Sequence, residues 1–153
     1  MATRKSKIFT GFGVALLAVL GFAIFFFMSF KTVIVNGHSM DPTFHTGNRL
    51  LVSNAYWLVS PLKDKDVVVI KTGQGPGDYI IKRIYKMAGE TVDFYNVPED
   101  WSLARGTYVV PEGHVYVLGD NREVSQDSRA FGAVDMNKII GKVVVRPGVS
   151  SQP

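Results

Sequence analysis

A chain of 153 residues with 17 Lys and Arg against 13 Asp and Glu has room for one ordinary domain and a terminal segment. Arg4, Lys5 and Lys7 precede every acidic residue, so the remainder is close to charge balance, which argues against the basic stripe of a nucleic-acid-binding domain. Cysteine is absent, which excludes a disulfide framework, thiolate catalysis and a cysteine metal site, and three scattered histidines give no reason to expect a metal or other cofactor.

The first element is residues 8–30, which carry no charge. As a helix these 23 residues span roughly 34 Å, slightly more than a hydrocarbon core of ~30 Å. Gly11, Gly13 and Gly21 are tolerable in such a helix, where the backbone has no partner but itself. The basic cluster lies before the run and only Lys31 follows closely, so the positive-inside rule puts residues 1–7 in the cytoplasm and the rest outside. A cleaved leader would have a shorter apolar run and a small-x-small site. Phe25 to Phe30 offers no such site, and a retained single-pass anchor over 8–30 is expected, followed by a domain over 31–147 and a tail over 148–153.

From Lys31 onward, short β-type runs alternate with Gly, Pro, Asn and Asp punctuation, with no internal repeat. Strands are predicted at Thr32–Val35, Arg49–Ser53, Asp66–Ile70, Tyr79–Met87, Thr91–Tyr95, His114–Leu118 and Gly141–Arg146. Val67 to Ile70 is continuously apolar, as in a strand covered on both faces. The glycines of residues 73–78 make a flexible hairpin loop rather than a phosphate cradle, because no helix follows them. Ala133–Ile140 is read as a short helical or irregular turn, and the aromatic run Tyr56 to Val59 as core packing or a surface dipping into a lipid interface. The expectation is a mainly β domain.

Ser39 stands nine residues past the apolar run, in Asn36-Gly37-His38-Ser39-Met40-Asp41-Pro42-Thr43. Serine commonly serves as a turn residue, but Gly37 permits close backbone approach and Asp41-Pro42 stiffens the turn, so a hydroxyl beside exposed N–H groups is the alternative. A nucleophilic hydroxyl needs a base. His38 is adjacent and points away in extended chain, His45 is read as solvated, His114 opens a strand, and none has an evident orienting acid. Lys82 is the better candidate. On a strand it shares a face with Ile80 and Ile84, where it either snorkels to water or sits as a desolvated amine whose pKa falls towards the neutral range. Arg83 faces the other way, towards a carboxylate. Residues 119–132 are either a plain polar loop or an ordered network of hydroxyls, acids and arginines able to hold a buried amine.

Three stretches in this order, Ser39-Met40-x-Pro42-Thr43, Tyr79-x-x-Lys82-Arg83, and Gly119-Asp120-Asn121 with Ser125-x-Asp127-Ser128-Arg129-x-Phe131-Gly132, resemble the type I signal peptidases over the whole chain. The resemblance implies a compact β-barrel-like catalytic domain behind one membrane helix, with Ser39 as nucleophile and Lys82 as general base. It implies that Met40 packs beside the nucleophile, that Pro42 shapes its turn, that Ser125 orients the amine, and that Asp127 with Arg129 and Asp120 with Arg83 are structural ion pairs. Some members carry serine where this chain has Gly37, which leaves the oxyanion to backbone donors such as the Ser39 N–H. The implied substrates are signal peptides of exported preproteins, cut after small residues one and three positions before the bond. Ile34 and Ile80 are taken as residues beside those pockets. The implied setting is the outer face of a bacterial cytoplasmic membrane, with the lipid bilayer as a partner, no nucleic acid and a monomeric enzyme. A specialised Ser-Lys protease maturing one pilin or conjugation protein, and a non-catalytic membrane-tethered β binding module, are the alternatives.

Overall fold

The computed structural model describes residues 3–73, 75 and 77–145, and the side chains of residues 3–10, 12, 59, 103 and 145 are outside that description. Residues 1–2 of the expected cytoplasmic end, Gln74 and Pro76 of the hairpin loop, and Arg146 with the expected tail lie outside the described residues.

The chain opens with helix α1, Thr3–Ser29, and passes without a loop into strand β1, Phe30–Ile34, so Phe30 belongs to the sheet and not to the helix. The side chains of Val14, Leu17, Phe22 and Phe27 on α1 are exposed. Among the described residues no helix is long and apolar enough to cross a membrane. Of the anchor expected over 8–30, the side chains of residues 8–10 and 12 lie outside the described residues.

The other strands are β2 (Arg49–Ser53), β3 (Val67–Lys71), β4 (Tyr79–Lys86), β5 (His114–Leu118), β6 (Val134–Asp135) and β7 (Ile139–Val145). They form one antiparallel sheet in the order β1-β2-β7-β3-β4-β5-β6, which meets the expectation of a mainly β fold. The ladders run from β1 to β6 without a pairing that closes the sheet into a barrel among the described residues. Short helices α2 (Tyr56–Val59) and α3 (Ser128–Phe131) lie in the connections.

Burial explains why β3 sits near the middle. Its β-branched residues suit a pleated surface, and Val67 and Val69 join one apolar cluster while Val68 and Ile70 join another. Each such side chain contributes about 1.5–3 kcal/mol of burial. The first cluster contains Val35, Met40, Phe44 and Leu50, and therefore roots the segment that carries Ser39. The second contains Ile84, Val115 and Val117 under β4 and β5.

One expectation needs correction. Thr91–Tyr95 is not a strand: Thr91 makes a single bridge to Val109, and the Asp93 carboxylate takes the Tyr95 N–H and the Asn96 side chain, a local turn that competes with a ladder. The run Tyr56 to Val59, for which core packing and a surface were both open, forms a helical turn. Tyr56 packs on the second cluster, but Trp57 and Leu58 are 67% and 61% exposed. Ala133–Ile140 resolves into β6, a 3-10 turn at Met136–Lys138 and the start of β7.

Candidate active site

The Ser39 loop is hung from both ends. Beyond β1 the Val35 N–H donates to the Asn48 carbonyl at 2.9 Å, and the Gly47 N–H returns to the Val35 carbonyl at 2.9 Å. Thr46 Oγ1 accepts from the Gly37 N–H at 3.1 Å and donates to the Gly37 carbonyl at 2.9 Å. Gly37 has φ +100°, and a Cβ there would meet nothing within 4 Å. Its glycine is therefore required by a left-handed backbone rather than by the expected close approach. On the other side Met40 is buried in the first cluster, and its carbonyl accepts the Phe44 N–H across a turn with a cis Asp41-Pro42 bond. The Ser39 carbonyl accepts the Asn121 N–H at 3.0 Å, whereas the Ser39 N–H donates to no acceptor among the described residues.

Lys82 enters from β4, paired with Val68 across the ladder, and is only 3% exposed. Its Nζ donates to Ser125 Oγ at 3.1 Å, and it forms no salt bridge among the described residues. Burial lowers its pKa from the ordinary 10.5; Asp127 pulls it back up in part and Arg129 adds to the fall. Arg83, one residue on, faces the other way. It grips Asp120 through Nε and Nη2 at 2.7 and 2.6 Å and donates to the Lys65 carbonyl at 2.8 Å.

The loop after β5 holds the amine's partner. Asp127 is fully buried and accepts from the Gly119 N–H at 3.0 Å, Arg129 Nε at 2.9 Å and the Arg129 N–H at 3.2 Å. Ser128 Oγ, also buried, accepts the Val117 N–H at 2.9 Å, fastening α3 to β5. Asp120 is paired with Arg83, and the neighbouring Asn121 N–H reaches the Ser39 carbonyl, so this loop ties the Ser39 turn to the strand bearing Lys82. Gly119 lies where these parts converge. A Cβ there would come to 2.6 Å from the Ser39 carbonyl and would overlap the Ser125 side chain. Gly119→Ala is therefore expected to cost about 1–3 kcal/mol of stability in a thermal or urea melt, and an unchanged midpoint would show that the loop gives way freely.

Ser39 and Lys82 line one cavity of about 690 Å³, together with Ile80, Asn121, Val124 and Gln126, and no hydrogen bond joins the two among the described residues. Ser39 and Ile80 also line a neighbouring cavity of about 150 Å³ with Val35, Met40, Tyr79 and Ile81. Gly77 and Tyr79 connect that one to a third, of about 290 Å³, walled by Val33, Val52, Val69 and Ile140 and reaching Lys31. Ile80 lines the first two of these cavities, but Ile34 is exposed: the neighbours that line cavities are Val33 in β1 and Val35 just beyond it, one step either way along a chain whose faces alternate.

The histidines also differ from the sequence reading. His38 and His45 do have an acid: Asp41 bonds Nδ1 of both, at 2.9 and 2.7 Å. Both rings are mostly exposed, and neither hydrogen-bonds Ser39 among the described residues. His114 Nδ1 bonds its own loop, at the Glu112 carbonyl.

The chain matches the family model described as signal peptidase, peptidase S26, over residues 7–100 and 95–147. Signal peptidase IB of Staphylococcus aureus (strain COL) is 32% identical over 144 residues, covering 73% of this chain and 74% of that protein. Signal peptidase I of Bacillus caldolyticus is 31% identical over 145 residues, covering 76% and 79%. A crystal structure of a signal peptidase I from Enterococcus faecalis V583 overlaps 56% of this chain and 98% of its own at 26% identity, with a TM-score of 0.42.

Proposed function

The chain belongs to the signal peptidase, peptidase S26, family, and from that premise we propose that it removes signal peptides from exported preproteins at a membrane surface, with Ser39 as nucleophile and Lys82 as general base. The observation that carries the assignment is the state of Lys82. A buried amine with one hydroxyl partner, no paired carboxylate and a lowered pKa opens into the same cavity as a loop-borne serine.

The chemistry follows from these groups. Neutral Lys82 takes the proton of Ser39 Oγ as that oxygen bonds to the carbonyl carbon before the cleavage point. The negative oxygen draws on the Ser39 N–H, whose donor has no other partner among the described residues. As the C–N bond breaks, the proton passes from Lys82 to the leaving amine. Lys82 then removes a proton from water, which hydrolyses the ester on Ser39. Ser125 holds the amine in line. The 150 Å³ cavity suits a small side chain just before the cut. In an extended chain the side chain two positions earlier points the same way about 6.7 Å on, towards the 290 Å³ cavity.

Anchoring through α1 is part of the same reading. The supports are the uncharged run 8–30, the basic cluster before it and the exposed apolar side chains of the helix, which a bilayer would cover. Asn54, at the end of β2, clamps the helix end by donating to the Met28 and Ser29 carbonyls at 3.2 and 3.0 Å. The domain would then stand just outside the cytoplasmic membrane with residues 1–7 inside.

The full-length protein extracted from membranes in detergent is expected to cut a preprotein once, after a small-x-small sequence. A folded protein that cuts none of a panel of preproteins would overturn the function, and recovery wholly in the soluble fraction would overturn the anchor.

A further inference from the structure

Successive carbonyls around the nucleophile are each tied down, and one tie differs from the others. The His38 carbonyl accepts the Asp41 N–H at 3.2 Å, and the Ser39 carbonyl accepts the Asn121 N–H at 3.0 Å, both from backbone. The Gly37 carbonyl takes its hydrogen bond from a side chain, Thr46 Oγ1, at 2.9 Å. The same hydroxyl accepts the Gly37 N–H at 3.1 Å, so a single oxygen satisfies both polar groups of this residue. From this we propose that Thr46 is a positioning residue for the reaction: its hydroxyl fixes the Gly37 backbone and thereby keeps the Ser39 N–H aimed at the negative oxygen formed during cleavage. The inference rests on the reading of Ser39 and Lys82 as the dyad.

The loop forms without this clamp. Backbone bonds between Val35 and Asn48 and between Gly47 and Val35, both at 2.9 Å, already close its neck. The turn that carries Thr46 is shaped by Asn48, which takes the His45 N–H on its side-chain oxygen and donates its own N–H to the His45 carbonyl, each at 3.0 Å. Thr46 itself is exposed, and water competes for its hydrogen bonds, so they add little to stability. Their effect falls on Gly37. That residue has φ +100° and open space where a Cβ would stand, so neither a side chain nor its surroundings restrain its rotation. Among the described residues, Thr46 is the only group that hydrogen-bonds Gly37.

The consequence lies at the oxyanion. A peptide unit is planar, so the Ser39 N–H points opposite to the His38 carbonyl, and the two turn together. Thr46 holds the preceding unit, which joins Gly37 to His38. Released at Gly37, that unit swings and carries the next one with it. Gly37, His38 and Ser39 all line the cavity that holds Lys82, so the swing displaces the donor within the reaction space. Donors stabilise a developing negative oxygen when they are in place before it forms. Losing that placement is felt where the oxygen carries charge, in the transition state, and little in the bound substrate.

The experiment uses the full-length protein in detergent and one preprotein, with kcat, KM, the pH profile and the melting midpoint measured for each variant. Thr46→Val keeps a branched side chain without the hydroxyl. It is expected to lower kcat roughly tenfold while KM, the melting midpoint and the pH at which cleavage rises stay at wild-type values. Thr46→Ser keeps the hydroxyl and is expected to return kcat to within about twofold of wild type. A Thr46→Val protein with wild-type kcat would overturn the proposal. So would a loss that serine does not restore, or one accompanied by a matching change in KM or melting midpoint, the mark of a merely structural role. A shifted pH profile would place the effect on Lys82 and overturn it too. In each case cleavage by wild type and its loss in Ser39→Ala would leave the dyad standing, whereas a wild type that cleaves nothing would remove both readings.

Discussion

Lys82→Met is expected to abolish preprotein cleavage, by ~1,000-fold or more, and at the same time to make the folded protein more stable at neutral pH. The two effects have one cause. Burial lowers the Lys82 pKa from 10.5, so below the shifted value the folded protein must hold a charge that its interior disfavours. Between the lowered pKa and 10.5 the unfolded chain binds more protons than the folded one, and stability rises with pH across that window. Methionine, an unbranched apolar side chain, removes the charge while filling the space. The gain over wild type should therefore be largest below the folded-state pKa and shrink as pH approaches 10.5, read as melting midpoints at matched pH. Wild-type activity should climb through the same lowered pKa as the amine loses its proton. Ser39→Ala should be equally inactive yet show no such stability gain, because its hydroxyl carries no charge. A Lys82→Met protein that still cleaves would remove the base from the mechanism. One that is inactive but less stable at every pH would mean the ammonium is held favourably after all.

How far the sequence shows this site depends on the range of the interaction concerned. Periodicity is local, so Arg49–Ser53 and His114–Leu118 are legible to the residue, and Val67 to Ile70 declares a strand covered on both faces. The alternation of β4 puts Lys82 with two isoleucines and Arg83 opposite, which is enough to suspect a buried amine. Strand parity fails where the frame is uncertain by one. Ile34 is apolar like its neighbours, and only pairing with β2 reveals that Val33 and Val35 face the cavities. Contacts between distant loops leave still less trace. The Asn121 N–H reaches the Ser39 carbonyl across 82 positions, a spacing set by the sheet rather than by any local pattern. Asp41 could have been found: it stands three and four residues from His38 and His45, the reach of a single turn.

Asp127→Ala is expected to cost about 3–5 kcal/mol, a large part of the 5–15 kcal/mol that a domain of this size has in total. Burial alone would raise the pKa of this carboxyl. It is lowered instead, because the Arg129 guanidinium, the Gly119 N–H, the Ser125 side chain and the Arg129 N–H together outweigh the loss of water. Removing the carboxylate leaves those donors facing an apolar space, with the Arg129 charge uncompensated. The sign with pH is opposite to that of Lys82. Asp127 stabilises the fold above the unfolded-state value near 3.8, and the contribution is lost as pH falls through its lower folded value. Urea melts of wild type and Asp127→Ala should therefore differ most at neutral pH and converge in acid. Asp127→Asn is the sharper probe: it keeps the shape and one acceptor, so it should retain the packing yet lose the hold on Arg129. If Asp127→Asn equals wild type in both melt and activity, the charge is not what fastens the loop. If it melts early and also moves the pH at which cleavage rises, then the carboxylate is setting the Lys82 amine through its charge. That shift has a definite direction. Asp127 raises the Lys82 pKa, so its neutralisation should lower it further and move the rise in cleavage to lower pH.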